Sequence, residues 1–404
     1  MRKLGIVCFA AFVGLAFAVI SYAQAGDADL LAVGSKKTFT VEGDNVQRFS
    51  VELAEGAFAQ FSWVAATDAD GLQYEITGVG GEKIQKDDAS WAKSAYFVAP
   101  KAGIYSIAFS FDPKAEKKEA KALTLSYGDT FTSPKRAQVK ASRKVAGYDV
   151  QILLVPDTET EPGESFVTVT KGGKLKNILH DDIGSPIMGY SFAGTADKDA
   201  VPVEKKAAAL INNTLDKTGD GDPDVMIEFY SGGAHCCTTY YFIELPAEGV
   251  GAIREVATGN AGMTAIGKVP AGGLRFETAD NAWAYWNTSF ADSPMPSVIL
   301  DFKDGVAKPN FAAMKKKAPT AAVLKRKAAE ARKKISNAPY TGEWGEFEES
   351  FWGEMIDLIF TGHEGLAWQY FDMVWPKAKP GKEKFLDDFK KVLAGSYYAE
   401  RDDK

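Results

Sequence analysis

From about residue 31 to residue 128, apolar and polar side chains alternate in short runs, and that period of two constrains the fold more than any other feature. Thr38–Val41, Arg48–Leu53, Ala59–Val64, Gln73–Thr77 and Ile104–Phe111 each carry the pattern, with Gly, Asp and Asn between them. Successive side chains of an extended chain point to opposite faces, so such runs bury one face and wet the other. Short strands punctuated this way predict an antiparallel sandwich. Strand patterns return from Val145 to about Lys308, at Tyr148–Val155, Ser165–Thr170, Leu175–Leu179, Val225–Tyr230, Thr238–Leu245, Leu274–Thr278 and Val298–Phe302. "TKGGK" at Thr170–Lys174 marks a hairpin turn. Residues 198–213 read as a short helix among these strands, and the local connections predict a mainly antiparallel second β domain.

The period then changes. Ala321, Leu324, Ala328, Ala331 and Ile335 form a narrow apolar stripe in a strongly basic helix. Phe351, Trp352, Met355, Ile356 and Ile359 repeat at helical spacing, as do Leu366, Ala367, Tyr370, Phe371, Val374 and Trp375, and then Phe385, Leu386, Phe389 and Leu393. Gly362 and Pro376 stop two of these helices, and Pro380-Gly381 introduces the third. Three short amphipathic helices can share one core, and an aromatic ligand groove is the sharper alternative. The Lys/Arg run from Lys315 to Lys334 reads as a solvated face rather than an anion-binding surface.

The order of residues in the first region carries a resemblance. "VEGDNVQRFSVELAEG", "GLQYEITGVGGEKI" and "YFVAPKAGIYSIAFSF" resemble the bacterial pre-peptidase C-terminal domain, most specifically in the turn at Ala99–Tyr105. The resemblance implies a small jelly-roll-like sandwich attached to secreted proteins, an accessory module without catalytic residues of its own. The resulting plan is a mainly β multidomain chain. A signal peptide over 1–25 precedes a sandwich over 26–128, and a linker over 129–144 follows. A central antiparallel β domain occupies 145–310, and a small helical C-terminal domain occupies 311–404.

Arg2 and Lys3 precede an apolar run from Leu4 to Ile20, and "SYAQA" ends in the small-x-small pattern a signal peptidase reads. Cleavage before Gly26 predicts export, to the periplasm or the extracellular medium, and takes the formal charge from −7 to −9. An acidic balance offers no footprint for nucleic acid. No later segment has the length and apolarity of a membrane span.

"LDKTGDGDPDVMIEFYSGGAHCC" holds most of the chemistry. Asp216, Thr218, Asp220 and Asp224 stand at positions 1, 3, 5 and 9 of a calcium-type loop, with Gly221 at the sharp turn and the Asp222 carbonyl at position 7. Oxygen ligands at alternate positions let a short loop wrap a hard cation. Position 12 is Ile227, not the bidentate Glu of an EF-hand, so the expected calcium site is weak. The stretch resembles the loops of FG-GAP and related β-propeller-type repeats, although Thr218 replaces the usual Asp or Asn and only one good copy occurs. An ordinary Asp/Gly turn is the plain alternative.

Cys236 and Cys237 remain after signal cleavage. Adjacent Cα atoms sit about 3.8 Å apart, below the usual disulfide span. An oxidising compartment nonetheless favours a strained ring between them. Two buried thiols, or soft-metal or catalytic chemistry through His235 and Cys237, are the alternatives. The histidines are His180, His235 and His363, and no H-E-x-x-H, C-x-x-C or G-x-S-x-G occurs. The expectation is an exported, non-catalytic, calcium-binding protein of the envelope or exterior whose ligand is a sugar or a protein. The alternative is a secreted hydrolase with a site near His235.

Overall fold

The computed structural model describes residues 29–397 apart from 68, 91, 160–162, 186, 197–199, 234–236, 271 and 348. The expected signal peptide, His235 and Cys236 therefore lie outside the described residues. The chain is mainly β, with a small helical part at its C-terminal end.

Nine strands build the first unit: β1 (Asp29–Leu30), β2 (Lys36–Val41), β3 (Gln47–Leu53), β4 (Phe58–Ala65), β5 (Leu72–Thr77), β6 (Lys83–Asp88), β7 (Ser94–Val98), β8 (Gly103–Phe111) and β9 (Lys121–Gly128). They form one sheet in the order β1-β3-β8-β5-β6 and another in the order β2-β9-β4-β7. All pairs are antiparallel except β1 with β3. The expected alternation is visible in β8, where Tyr105, Ile107 and Phe109 are wholly buried and Ser106 and Ser110 are not. The turn into β8 has a physical cause. Gly103 has φ +149°, and a Cβ there would stand 2.5 Å from Val79. Two residues on, the Tyr105 hydroxyl donates to the Lys101 carbonyl at 2.8 Å and accepts from the Lys101 amide at 3.2 Å, which pins the corner.

Three four-stranded antiparallel meanders follow. The first is β10 (Gln138–Val145), β11 (Tyr148–Val155), β12 (Glu164–Lys171) and β13 (Lys174–Asp181). In the second, β14 (Gly189–Phe192) is separated by α1 (Pro202–Asn213) from β15 (Asp224–Tyr230), β16 (Thr238–Glu244) and β17 (Ile253–Gly259). The third is β18 (Thr264–Lys268), β19 (Leu274–Ala279), β20 (Ser297–Lys303) and β21 (Val306–Pro309). The unit recurs although its sequence does not. Residues 138–144, expected within a linker, are instead strand β10, paired along its length with β11.

The sheets stack through alternate faces. Val150, Ile152, Val167 and Val169 of the first meander meet Val225, Ile227, Phe229 and Ile243 of the second. The opposite face of the second, with Met226, Tyr240 and Phe242, meets Phe276, Leu300 and Phe302 of the third. Leu153, Val155, Phe166 and Ile178, on the first meander's other face, pack on Phe58 and Val98 of the sandwich.

The helical part comprises α2 (Phe311–Met314), α3 (Ala321–Arg332), α4 (Trp352–Phe360), α5 (Glu364–Val374) and α6 (Lys382–Ala394). Its apolar stripes bury Leu324, Ala328, Trp352, Met355, Phe371, Phe385 and Phe389. These residues and the inner face of the third meander belong to one continuous core. No helix of the described residues is long and apolar enough to cross a membrane.

Candidate functional site: the aspartate loop

After α1 the chain turns through residues 215–223 into β15, and every expected ligand position falls in this turn or on the first residue of β15. Asp224, wholly buried, closes it from inside. Its Oδ2 accepts the backbone N–H of Lys217 at 2.6 Å and of Thr218 at 3.0 Å, and the Thr218 hydroxyl donates to it at 3.2 Å. Burial still pushes the Asp224 carboxyl up to about 7, against the pull of those amides. Asp216 spans the outer turn, accepting the amides of Gly219 at 2.6 Å and Gly221 at 2.9 Å on its two oxygens. Asp220 accepts the Asp222 amide at 3.1 Å.

Two glycines serve different ends. Gly219 (φ +75°) could not carry a Cβ, which would fall 2.4 Å from the Gly273 amide nitrogen. Gly221 (φ +101°) has open space where its Cβ would be, so backbone conformation alone requires glycine there. The close approach at Gly219 docks the loop on the third meander. Carbonyls of Lys217, Thr218 and Gly219 accept the amides of Leu274, Gly305 and Asp304 at 2.8, 3.0 and 3.1 Å.

Three charged groups complete the site, and the loop's spacing does not disclose them. Lys217 is buried, and its ammonium donates to the carbonyls of Thr214 at 2.8 Å and Asp224 at 2.6 Å. Burial lowers its pKa to about 8. Glu244 stands opposite Asp224 across the β15–β16 ladder. Arg254, on β17, donates to both Glu244 and Asp220, the latter at 3.2 Å. Burial opposes charge on Asp220, but hydrogen bonds from Glu244, Asp222, Thr218 and Arg254 outweigh it and hold that carboxyl low. Glu244 is pushed up, by burial first and then by Asp220 beside it.

The donor set is hard oxygen, as calcium requires, yet much of it is committed to backbone amides. Among the described residues, the group of ligand atoms that converges within 4.8 Å is Glu164, His180 and Asp182, not the loop. Ile227, at position 12, is wholly buried in the core between sheets.

Beyond the loop, Cys237 is disulfide-bonded. Its amide donates to the Ser231 hydroxyl at 2.8 Å, and Gly232 (φ +85°) and Gly233 (φ +93°) turn the chain between them. His235 and Cys236, the remaining residues of the expected redox or catalytic group, lie outside the described residues. His363 takes no part in the loop, its Nε2 lying 2.7 Å from the Lys316 carbonyl.

No family model matches the chain. No curated protein matches it either. Among solved structures it is similar to the pre-peptidase C-terminal domain of a collagenase from Bacillus anthracis, at 14% identity over 25% of this chain and 94% of that one, TM-score 0.21. It is similar also to PliG of Aeromonas hydrophila, a periplasmic inhibitor of g-type lysozyme, at 12% identity over 25% and 95%, TM-score 0.21. A third similarity is to the extracellular region of zebrafish Gpr126/Adgrg6, at 11% identity over 62% and 36%, TM-score 0.17. Likenesses of this size carry nothing about what the chain binds. The resemblance of the loop to FG-GAP repeats gains no support from them.

Proposed function

We propose that this chain is an exported, non-catalytic binding or structural protein of the cell envelope or exterior, with a weak calcium site in the aspartate loop. The supporting observation is the charge at the loop. Asp216, Asp220, Asp222, Asp224 and Glu244 gather there, and Lys217 and Arg254 are the cations bonded to it. A calcium ion collects six to eight oxygens and offsets such an excess. Asp216, Asp220, the Asp222 carbonyl and Glu244 would hold it, with Arg254 swinging aside, while Asp224 and Thr218 keep the loop shut. Because the loop's carbonyls are bonded to the third meander, the ion would tighten the join between two sheets. The accessory character of the sandwich and the acidic charge favour a sugar or protein ligand over nucleic acid.

The site should bind in the range of extracellular modules, roughly 0.1–1 mM. Calcium at ten times its dissociation constant then stabilises the folded form by about 1.4 kcal/mol. That raises the melting temperature of the central sheets by about 3–6 °C. Asp220→Ala should abolish the shift. Superimposed melting curves in chelator and in 10 mM calcium would refute the calcium site. Turnover of any peptide, ester or glycoside in a substrate panel would refute the non-catalytic reading.

A further inference from the structure

A second group of ligands lies where the sandwich meets the first meander. His180, on β13, is opposite Phe166 on β12, and its side chain is 4% exposed. The imidazole packs against the Phe166 ring at 4.7 Å and against Tyr96 of the sandwich at 4.5 Å. Its Nε2 is buried without a hydrogen-bond partner. Yet that atom points at two carboxylates, standing 3.5 Å from Glu164 Oε1 and 3.5 Å from Asp182 Oδ1. Glu164 opens β12 and Asp182 follows β13, so the hairpin register, with Ser165 opposite Asp181, brings all three to one end.

These distances are too long for hydrogen bonds, which for N–H···O run at about 2.7–3.2 Å. They match a different geometry. A tetrahedral ion with bonds near 2.1 Å separates neighbouring ligand atoms by about 3.4 Å. The imidazole nitrogen is buried without a hydrogen-bond partner and faces two oxygens across that spacing, and leaving it unsatisfied is costly. We propose that Glu164, His180 and Asp182 bind a first-row transition-metal ion of the zinc class. An imidazole with two carboxylates suits zinc over calcium or magnesium, which take oxygen alone. Three protein ligands leave the fourth position to water. Asp87, on β6, and Asp181 add negative charge around Asp182, opposed by Lys93. Since His180 also packs on Tyr96, the ion fixes the seam between sandwich and meander.

The test uses the full exported chain without a histidine tag, stripped with chelator and titrated with cobalt(II). The expected result is the visible absorption of tetrahedral cobalt, one ion per chain, bleached by zinc and not by calcium. His180→Gln and Glu164→Gln should each lose the band and weaken zinc binding by at least the tenfold to 100-fold that loss of an outer-shell partner causes. Should His180→Gln fail to fold, Glu164→Gln carries the test, since its side chain is 28% exposed. Asp220→Ala should keep the band, which separates this site from the calcium loop. Absence of a cobalt band in the wild-type chain, or equal zinc affinity in the wild type and Glu164→Gln, overturns the proposal.

Discussion

The sandwich core is drawn from Leu31 to Tyr127, whereas the core beneath the helices is drawn from Ala193 to Leu393. In the first, each strand finds its partners within about a hundred residues, and both sheets are closed before the chain leaves. In the second, Phe276 and Phe302 of the third meander pack on Phe242 of the second, and Trp283 and Trp286, between β19 and β20, are covered only when Trp352, Phe385 and Phe389 arrive from the helices. The join between the sandwich and the first meander is a cluster of its own, with Phe58, Tyr96 and Val98 against Leu153, Val155, Phe166 and Ile178. Two strongly cooperative bodies with a modest seam should unfold in two steps. Local closure makes the sandwich a module, while the rest of the chain stands or falls together.

The largest expected effect follows from that difference. A chain ending at residue 310 loses α2 to α6 and uncovers Trp283 and Trp286 between β19 and β20. We expect calorimetry to show the sandwich transition intact, the second transition gone, and strong binding of a hydrophobic dye. Survival of both transitions would mean that the helices form a separate domain. Next in size are core truncations. Phe385 is wholly buried, and its ring meets Trp286, Tyr340, Phe351 and Phe371 within 5.5 Å. Phe385→Ala should cost about 3–5 kcal/mol, confined to the second transition. Phe109→Ala, wholly buried in the sandwich, should cost as much in the first alone. A shift of both transitions by either variant breaks the comparison.

The seam gives a smaller effect of another kind. Phe166 is wholly buried, 5.5 Å from Tyr96 and 5.8 Å from Phe131. Phe166→Leu keeps an apolar side chain and should cost about 1 kcal/mol. What distinguishes it is coupling: the two melting transitions should move apart, read by calorimetry at fixed scan rate. If they move together, the seam is not what links the bodies.

How far this was legible in the sequence depends on the same contrast between local and distant partners. Strands β3, β4 and β8 announce themselves because buried and wet faces alternate along each one. Strand β10 does not: "QVKASRKV" is charged and largely exposed, a sheet edge whose lysines and arginine discourage further pairing. Its composition therefore reads as a linker. The aspartate loop is legible because its residues are neighbours, but Glu244 and Arg254 reach it through strand register, which spacing cannot supply. Glu164 likewise meets His180 across a hairpin. The local sign of that group is "HDD" at 180–182, a histidine beside two carboxylates.

The smallest expected effect tests whether acid weakens the second body at a named point. Arg275 donates to Asp301 through Nε at 2.5 Å and a second nitrogen at 2.7 Å, and Asn310 donates to the same carboxylate at 2.7 Å. The Arg275 hydrogen bond, before any other cause, holds the Asp301 carboxyl below its ordinary value. A carboxyl lowered on folding binds its proton more weakly in the native state than in the unfolded chain. Its contribution is therefore complete above the unfolded pKa, about 3.9, and is lost as pH falls through the folded value. The pair is partly exposed, at 30% and 18% for the two side chains, so solvent screening limits it to about 1 kcal/mol at most. Between pH 6 and pH 3 the urea midpoint of the second transition should fall further in the wild type than in Asp301→Asn, which cannot titrate. The sandwich transition should have the same pH dependence in both. Equal slopes in the second transition would show that this ion pair adds nothing to the long-range core it borders.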